Sequence, residues 1–135
     1  MIRPSTAQTE QKPVSQALYP NLSGVKHIVA IGSGKGGVGK STVSSNLAVA
    51  LRVSGAEVGL MDADIYGPSQ PGMLGAKEAR PGVEDNQLLP ISRHGIRFIS
   101  MGLLTDGNSP VIWRAPMAMK MIQQFIGSVV WGDLD

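Results

Sequence analysis

Apolar residues fall along this chain in short runs, some with strand-like and some with helix-like spacing. Val25 to Ile31 reads Val-Lys-His-Ile-Val-Ala-Ile, and its length and β-branched content predict a buried strand. Farther on, Val43, Leu47, Ala50 and Leu51 recur at i, i+4, i+7 and i+8, which predicts a helix face, with Gly55 placed to cap its end. Val58 to Met61 predicts a second short strand that delivers Asp62 and Asp64 at its carboxyl end. Gly67-Pro68-Ser69 and Pro71-Gly72 mark a loop with a short helix around Met73, and residues 75–86 read as polar, Gly/Pro-containing loop. Gln87–Ile91 and Ile96–Met101 flank Ser92-Arg93-His94-Gly95 as a hairpin or a pair of edge strands. Leu103 to Pro110 reads as loop. From Met117, the spacing of Ala118, Met121, Ile122 and Phe125 predicts a last helix, with Gly127 just past its end; Met117, Met119 and Met121 are read as packing residues.

The stretch between the first strand and the first helix carries the chemistry. Gly34, four residues, then Gly39-Lys40-Ser41 fits the phosphate-binding pattern G-x-x-x-x-G-K-[ST]. Its glycines let backbone N–H groups turn inward and approach phosphate oxygens, which a Cβ would hinder. Lys40 then pairs the β- and γ-phosphates, and the Ser41 hydroxyl ligates Mg²⁺. Strand, glycine loop, helix is the order this needs, because the helix N-terminus adds its dipole to anion binding. A structural alternative is a plain Gly-rich turn joining strand to helix. A functional rival lies in the same residues: Gly32-Ser33-Gly34-Lys35-Gly36-Gly37 satisfies the dinucleotide fingerprint G-x-G-x-x-G, with Asp62 at a plausible distance. A dinucleotide site has no use for Lys40-Ser41 at the helix opening, so a nucleoside triphosphate ranks ahead.

In open parallel sheets ligands sit at the carboxyl ends of strands, so Asp62 and Asp64 should arrive beside the phosphate loop. They bracket Ala63, and on an extended backbone both point the same way. One can hold the metal or a metal-bound water while the other orients the attacking water, the positioning that phosphoryl transfer requires. The plainer alternative is that Asp62 caps the following turn.

Composition narrows the class. At 135 residues with 42% hydrophobic content, the chain can form one small α/β domain with a core. A formal charge of +2, with scattered Lys and Arg, gives no argument for nucleic acid or a membrane surface. There is no cysteine, hence no disulfide and no thiolate metal site within these residues. His27 and His94 stand alone and read as solvated side chains. No secretion signal or membrane-length apolar run is present, so the expected compartment is cytoplasmic. Residues 1–24, rich in Pro, Ser, Thr and Gln, read as a flexible leader before the domain of residues 25–135.

Lys35-Gly36-Gly37-Val38-Gly39-Lys40-Ser41-Thr42 resembles the deviant Walker A motif of SIMIBI-class P-loop ATPases, which include ParA/MinD proteins and nitrogenase iron protein. Asp62-Ala63-Asp64-Ile65-Tyr66-Gly67-Pro68-Ser69 is narrower. With Pro110-Val111-Ile112-Trp113-Arg114-Ala115-Pro116-Met117 and Gln123-Gln124-Phe125, it is similar to the Mrp and ApbC branch, the iron–sulfur cluster carrier ATPases. The resemblance implies a P-loop fold, a mostly parallel sheet with flanking helices that is incomplete at the C-terminus. It implies ATP and Mg²⁺ as cofactors and ATP-dependent delivery of iron–sulfur clusters to apoproteins by a homodimer. Nucleotide contacts would come from Gly34, Lys35, Gly36, Gly37, Val38, Gly39, Lys40, Ser41 and Thr42. Lys35 would reach across the dimer to the partner's phosphates, Ser41 and Asp62 would hold the metal, and Lys35, Lys40, Asp62 and Asp64 would form the catalytic group. The family usually has Gly at the position of Ala115. The chain ends before the Walker B strand and the Cys-x-x-Cys that binds the cluster in family members, which makes it the expected N-terminal portion of a longer protein, with the cluster held only there. A ParA/MinD-like positioning ATPase and, less favoured, a dinucleotide-dependent oxidoreductase are the alternatives.

Overall fold

Ile96-Arg97-Phe98-Ile99-Ser100 forms strand β5, whose side chains alternate between two apolar layers. We describe a computed structural model, covering residues 19–104 and 115–135. Three strands make the principal sheet: β1 (Gly59–Asp62), β4 (Ile91–Arg93) and β5 (Ile96–Ser100), in the order β1-β5-β4. The β1–β5 pair is parallel, with Gly59 opposite Arg97 and Asp62 opposite Ser100, whereas β4–β5 is an antiparallel hairpin. His94 and Gly95 turn that hairpin at φ of 51° and 75°, the paired positive angles that match strand twist in a two-residue loop. A second hairpin joins β2 (Gly82–Glu84) to β3 (Gln87–Leu89) through Asp85 and Asn86, also at positive φ.

Helix α1 (Lys40–Val53) packs on the face of the sheet that carries Ile96 and Phe98. Leu74 and Ala76 pack there too, just beyond the short helix α2 (Gln70–Met73). On the other face, Ile99 meets Phe125 and Val129 from α3 (Ala115–Ser128) and its end, together with Trp131 and Leu134. Trp131 lies on β1 where Gly59 has no side chain: a Cβ there would stand 2.8 Å from Trp131 Cζ3 and 2.7 Å from Leu134 Cδ1. The Arg97 guanidinium donates to the carbonyls of Trp131 and Asp133, tying the last residues to β5.

The strand expected over Val25–Ile31 does not form a ladder. Val25 is buried and makes a single parallel bridge to Leu134, but Ile28 and Val29 are 59% and 68% exposed. β-propensity describes fitness for a paired, half-buried surface and does not create the partner. What partners there are lie at the base, where Leu134 N–H donates to Gly24 and Lys26 N–H to Leu134, while Asp135 N–H donates to Glu57. Beyond that base a cleft of about 960 Å³ opens between residues 27–33 and β1.

Other expectations need correction. The first helix is present and Gly55 follows its C-cap at φ 104°, but its apolar stripe faces outward: Val43 is 56% exposed, and Ser45 and Ala48 are buried instead. Small residues let α1 approach β1 and β5 closely, so inward position is decided by size. Pro90 cannot donate to a ladder and divides the run 87–91; its first half pairs with Gly82–Glu84, inside the stretch read as loop. Gly127 lies within α3, not beyond it. Tyr19 to Gly24, assigned to the leader, include a 3₁₀ turn at Pro20–Leu22, and Asn21 Nδ2 donates to Ile126 and Val129 carbonyls at 2.6 and 2.9 Å. Most of the loop read over Leu103–Pro110 lies outside the described residues.

Replacing Gly59 by Val should lower stability by about 1–3 kcal/mol, because Trp131 and Leu134 occupy the space its side chain needs. Gly67→Ala, where a Cβ meets nothing within 4 Å, should leave the urea midpoint nearly unchanged. Equal midpoints for the two variants would contradict this packing.

Candidate functional site

Helix α1 starts abruptly at Lys40 because the residue before it is a glycine in the left-handed region, Gly39 at φ 96°. Gly37, at φ 72°, makes the preceding bend. Neither glycine has a side chain to cap the helix, so the first-turn N–H groups are left for a ligand. Gly32 through Val38 form an exposed loop, drawn in locally where Ser33 Oγ donates to the Lys35 carbonyl at 3.0 Å. Gly34, Lys35, Gly36 and Val38 all lie on this exposed arc. Thr42 sits in the first helical turn, its carbonyl accepting from Asn46 Nδ2.

The carboxyl end of β1 meets the start of α1. Lys40 Nζ lies 2.8 Å from Asp64 Oδ2, with the two side chains 32% and 29% exposed. Lys40's hydrogen bond holds the Asp64 carboxyl below its ordinary pKa, with help from the Gly67 and Tyr66 N–H groups. The pair therefore stays ionised well below neutral pH and is lost only as acid protonates Asp64 beneath the usual carboxylate range. An ion pair this exposed contributes about 1 kcal/mol or less.

Asp62 takes a different course. It is 8% exposed; Oδ1 accepts from Asp64 N at 3.1 Å, and Oδ2 accepts from Gln70 N at 3.3 Å and Ser100 Oγ at 3.1 Å. Burial pushes its pKa up against the pull of these hydrogen bonds, and the charge of Asp64 adds to the rise. Asp62 thus caps the turn that follows β1, and its charge is stabilised by neutral donors. Both aspartates line the cleft beside β1, but with different partners: Asp62 is held by Ser100 and Gln70, and Asp64 reaches Lys40.

Three residues complete the arrangement without having been singled out for it in the sequence. Gln70, 3% exposed, donates through Nε2 to the Ser41 carbonyl at 2.9 Å while its backbone bonds Asp62. Ser69 Oγ donates to Ser41 Oγ at 2.7 Å. Ser100 holds Asp62 from the neighbouring strand. Ser69 closes the Asp62–Ser69 stretch that carries the family resemblance, which marks it without giving it a role, and the placement of Ser69-Gln70 otherwise fits any helix start. Lys40, Ser41, Asp62, Asp64 and Gln70 all line the cleft beside β1. Among the described residues no group of three or more His, Cys, Asp or Glu is placed to hold a metal. No helix among them is long and apolar enough to cross a membrane.

Comparison with known proteins agrees with this geometry. An iron–sulfur cluster carrier protein of Deinococcus radiodurans is 53% identical over 123 residues, covering 90% of this chain and 35% of the relative. One from Synechocystis is 52% identical over 134 residues, covering 96% and 38%. The chain therefore spans little more than a third of the length of these curated relatives. A solved nucleotide-binding protein from Archaeoglobus fulgidus, in complex with ADP, superposes with a TM-score of 0.73 at 36% identity, over 90% of this chain and 46% of that one. The family model described as "ParA: NUBPL iron-transfer P-loop NTPase" matches residues 24–135. This chain belongs to that family of iron-transfer P-loop NTPases.

Proposed function

We propose that this chain binds ATP with Mg²⁺ at the loop Gly34–Thr42 and forms the nucleotide-binding part of an ATPase that carries iron–sulfur clusters to apoproteins. One observation carries the nucleotide part: the start of α1 and the end of β1 are joined by the Lys40–Asp64 pair and by Gln70, which bridges Ser41 to Asp62. That places a cation, a hydroxyl and two carboxylates around one helix N-terminus. The relatives named iron–sulfur cluster carrier proteins, and the ADP held by the Archaeoglobus protein, support the assignment.

The residues fit a hard divalent cation. Ser41 offers a hydroxyl oxygen, and Asp62 is a buried carboxylate whose negative charge burial disfavours, a cost that a nearby cation would offset. With so few protein oxygens, Mg²⁺ would complete its shell from phosphates and water, its usual habit. When bound, the ion would neutralise charge developing on the transferred phosphoryl group. The N–H groups of Gly36 to Thr42 would cradle the phosphates, and Lys40 would leave Asp64 for the β- and γ-oxygens. Freed of Lys40, the Asp64 carboxylate is in place to orient an attacking water. Lys35, on the exposed arc, is free of the helix and available to the phosphates bound by a second copy in a homodimer. With no cysteine among the 135 residues, the cluster would be held by chain outside them. The cytoplasm is the compartment this reading assigns.

Calorimetric titration of the chain with ATP and Mg²⁺, with NAD as comparison, tests the nucleotide reading. ATP should bind and NAD should not; Lys40→Ala should lose at least about tenfold in affinity, the scale of one charge-assisted phosphate contact. Preference for NAD would overturn the assignment. Asp64→Asn should leave ATP affinity unchanged or raise it, by up to about fivefold, because it removes the group that competes for Lys40. A loss as large as that of Lys40→Ala would instead make Asp64 a nucleotide ligand.

A further inference from the structure

Ser41 is fixed at two atoms by residues outside the phosphate-loop motif. Its carbonyl accepts from Gln70 Nε2 at 2.9 Å, and its hydroxyl lies 2.7 Å from Ser69 Oγ. Gln70 is nearly fully buried and is itself pinned, because its backbone N–H donates to Asp62, which Ser100 holds in turn. Pro71, second residue of α2, has its φ set by the ring, so the chain around Gln70 has little freedom to drift. Ser69 differs in kind. It is exposed, and its hydroxyl donates to Ser41 Oγ rather than to a core residue.

We infer that Ser69 is a positioning residue for the cation-binding hydroxyl of Ser41, held in place by the Gln70 clamp; the assignment rests on the nucleotide reading above. A serine hydroxyl has one proton and two lone pairs. When a lone pair goes to a divalent cation, the proton must point elsewhere, and the withdrawal of charge makes that O–H a stronger donor. It then needs an acceptor at the usual O–H···O separation, which the Ser69 oxygen provides. A hydroxyl pair runs in either direction, so Ser69 can donate to Ser41 in one state and accept from it in the other. Without Ser69, the Ser41 hydroxyl proton loses this acceptor, and its side chain is free to sample other staggered rotamers. The effect of Ser69 should therefore show in the cation's contribution and leave the nucleotide's own contacts intact.

The experiment compares ATP affinity with Mg²⁺ and in EDTA for wild type, Ser69→Ala and Ser69→Thr, with Mn²⁺ binding to the same ATP complexes followed by electron paramagnetic resonance. Ser69→Ala should match wild type in EDTA within about twofold, yet lose about tenfold of the affinity gained from Mg²⁺ and a similar factor in Mn²⁺ affinity, the low end for losing a group that orients a metal ligand. Ser69→Thr, which keeps the hydroxyl, should restore both. Because Ser69 is exposed, the thermal unfolding curves of all three should coincide. An unchanged Mg²⁺ gain in Ser69→Ala would overturn the assignment, as would an equal loss with and without the cation. Failure of the wild type to bind ATP under either condition is a different result: it removes the nucleotide reading, and this role with it.

Discussion

The parallel pairing of β1 with β5 is the constraint on which the site depends. It sets Asp62 directly beside Ser100, and the Ser100 hydroxyl helps hold a carboxylate that burial would otherwise expel. From that anchored carboxylate the contacts run outward to the Gln70 backbone, through the Gln70 side chain to Ser41, and so to the start of α1. Lys40 and Asp64 add a second link of the same span, weaker because both are partly solvated. The buried link gives rigidity, while the exposed one is weak enough to be broken. A phosphate loop needs both properties. Its helix must stay in register with the strand end, and its lysine must be able to change partners.

Legibility in the sequence followed how local each feature is. The glycine loop, the start of α1 and the short strand before Asp62 were readable, because glycine spacing and runs of apolar residues impose their structure over a few neighbours. The β4–β5 hairpin was readable for the same reason, with His94-Gly95 supplying the turn. What failed depended on partners far along the chain. Val25–Ile31 has the composition of a strand and no ladder among the described residues. The α1 stripe of Val43, Leu47 and Leu51 has helical spacing, yet small Ser45 and Ala48 take the inner face because α1 must come close to the sheet. Asp62 and Asp64, read from their spacing as reaching one site, both line the cleft beside β1, but their partners differ: a hydroxyl 38 residues downstream and an N–H eight residues on bond Asp62, whereas Asp64 reaches Lys40. The stretch that carries the resemblance ends on Ser69 without giving it a role, and Gln70 lies just outside it; both roles exist only once Ser41 is beside them.

Membership of the iron-transfer P-loop NTPases and the geometry of this chain bear on different parts of the function. The glycine loop, its lysine, its hydroxyl and the carboxylates are all here, with Lys40 paired to Asp64 and Gln70 linking Ser41 to Asp62. The thiolates that a cluster requires are not, in a chain spanning little more than a third of its carrier relatives. Exposed apolar side chains are spread over the described residues: Ile28 and Val29 line the cleft beside β1, Val43, Leu47 and Leu51 lie along the outer side of α1, and Val53, Val83 and Val130 lie elsewhere. The residues present bear on nucleotide chemistry, and none of them is a thiolate ligand for a cluster.

The central claim is that α1 and the end of β1 act as one unit through Asp62 and Gln70, the link that persists when Lys40 leaves Asp64. Amide hydrogen exchange on adding ATP and Mg²⁺ tests it most directly, read at two segments together, Gly36–Val43 and Asp64–Gln70. The account predicts that both gain protection in parallel, and that Gln70→Ala, which cuts the bridge to Ser41, confines the gain to the first. Protection of the loop alone in the wild type would contradict it.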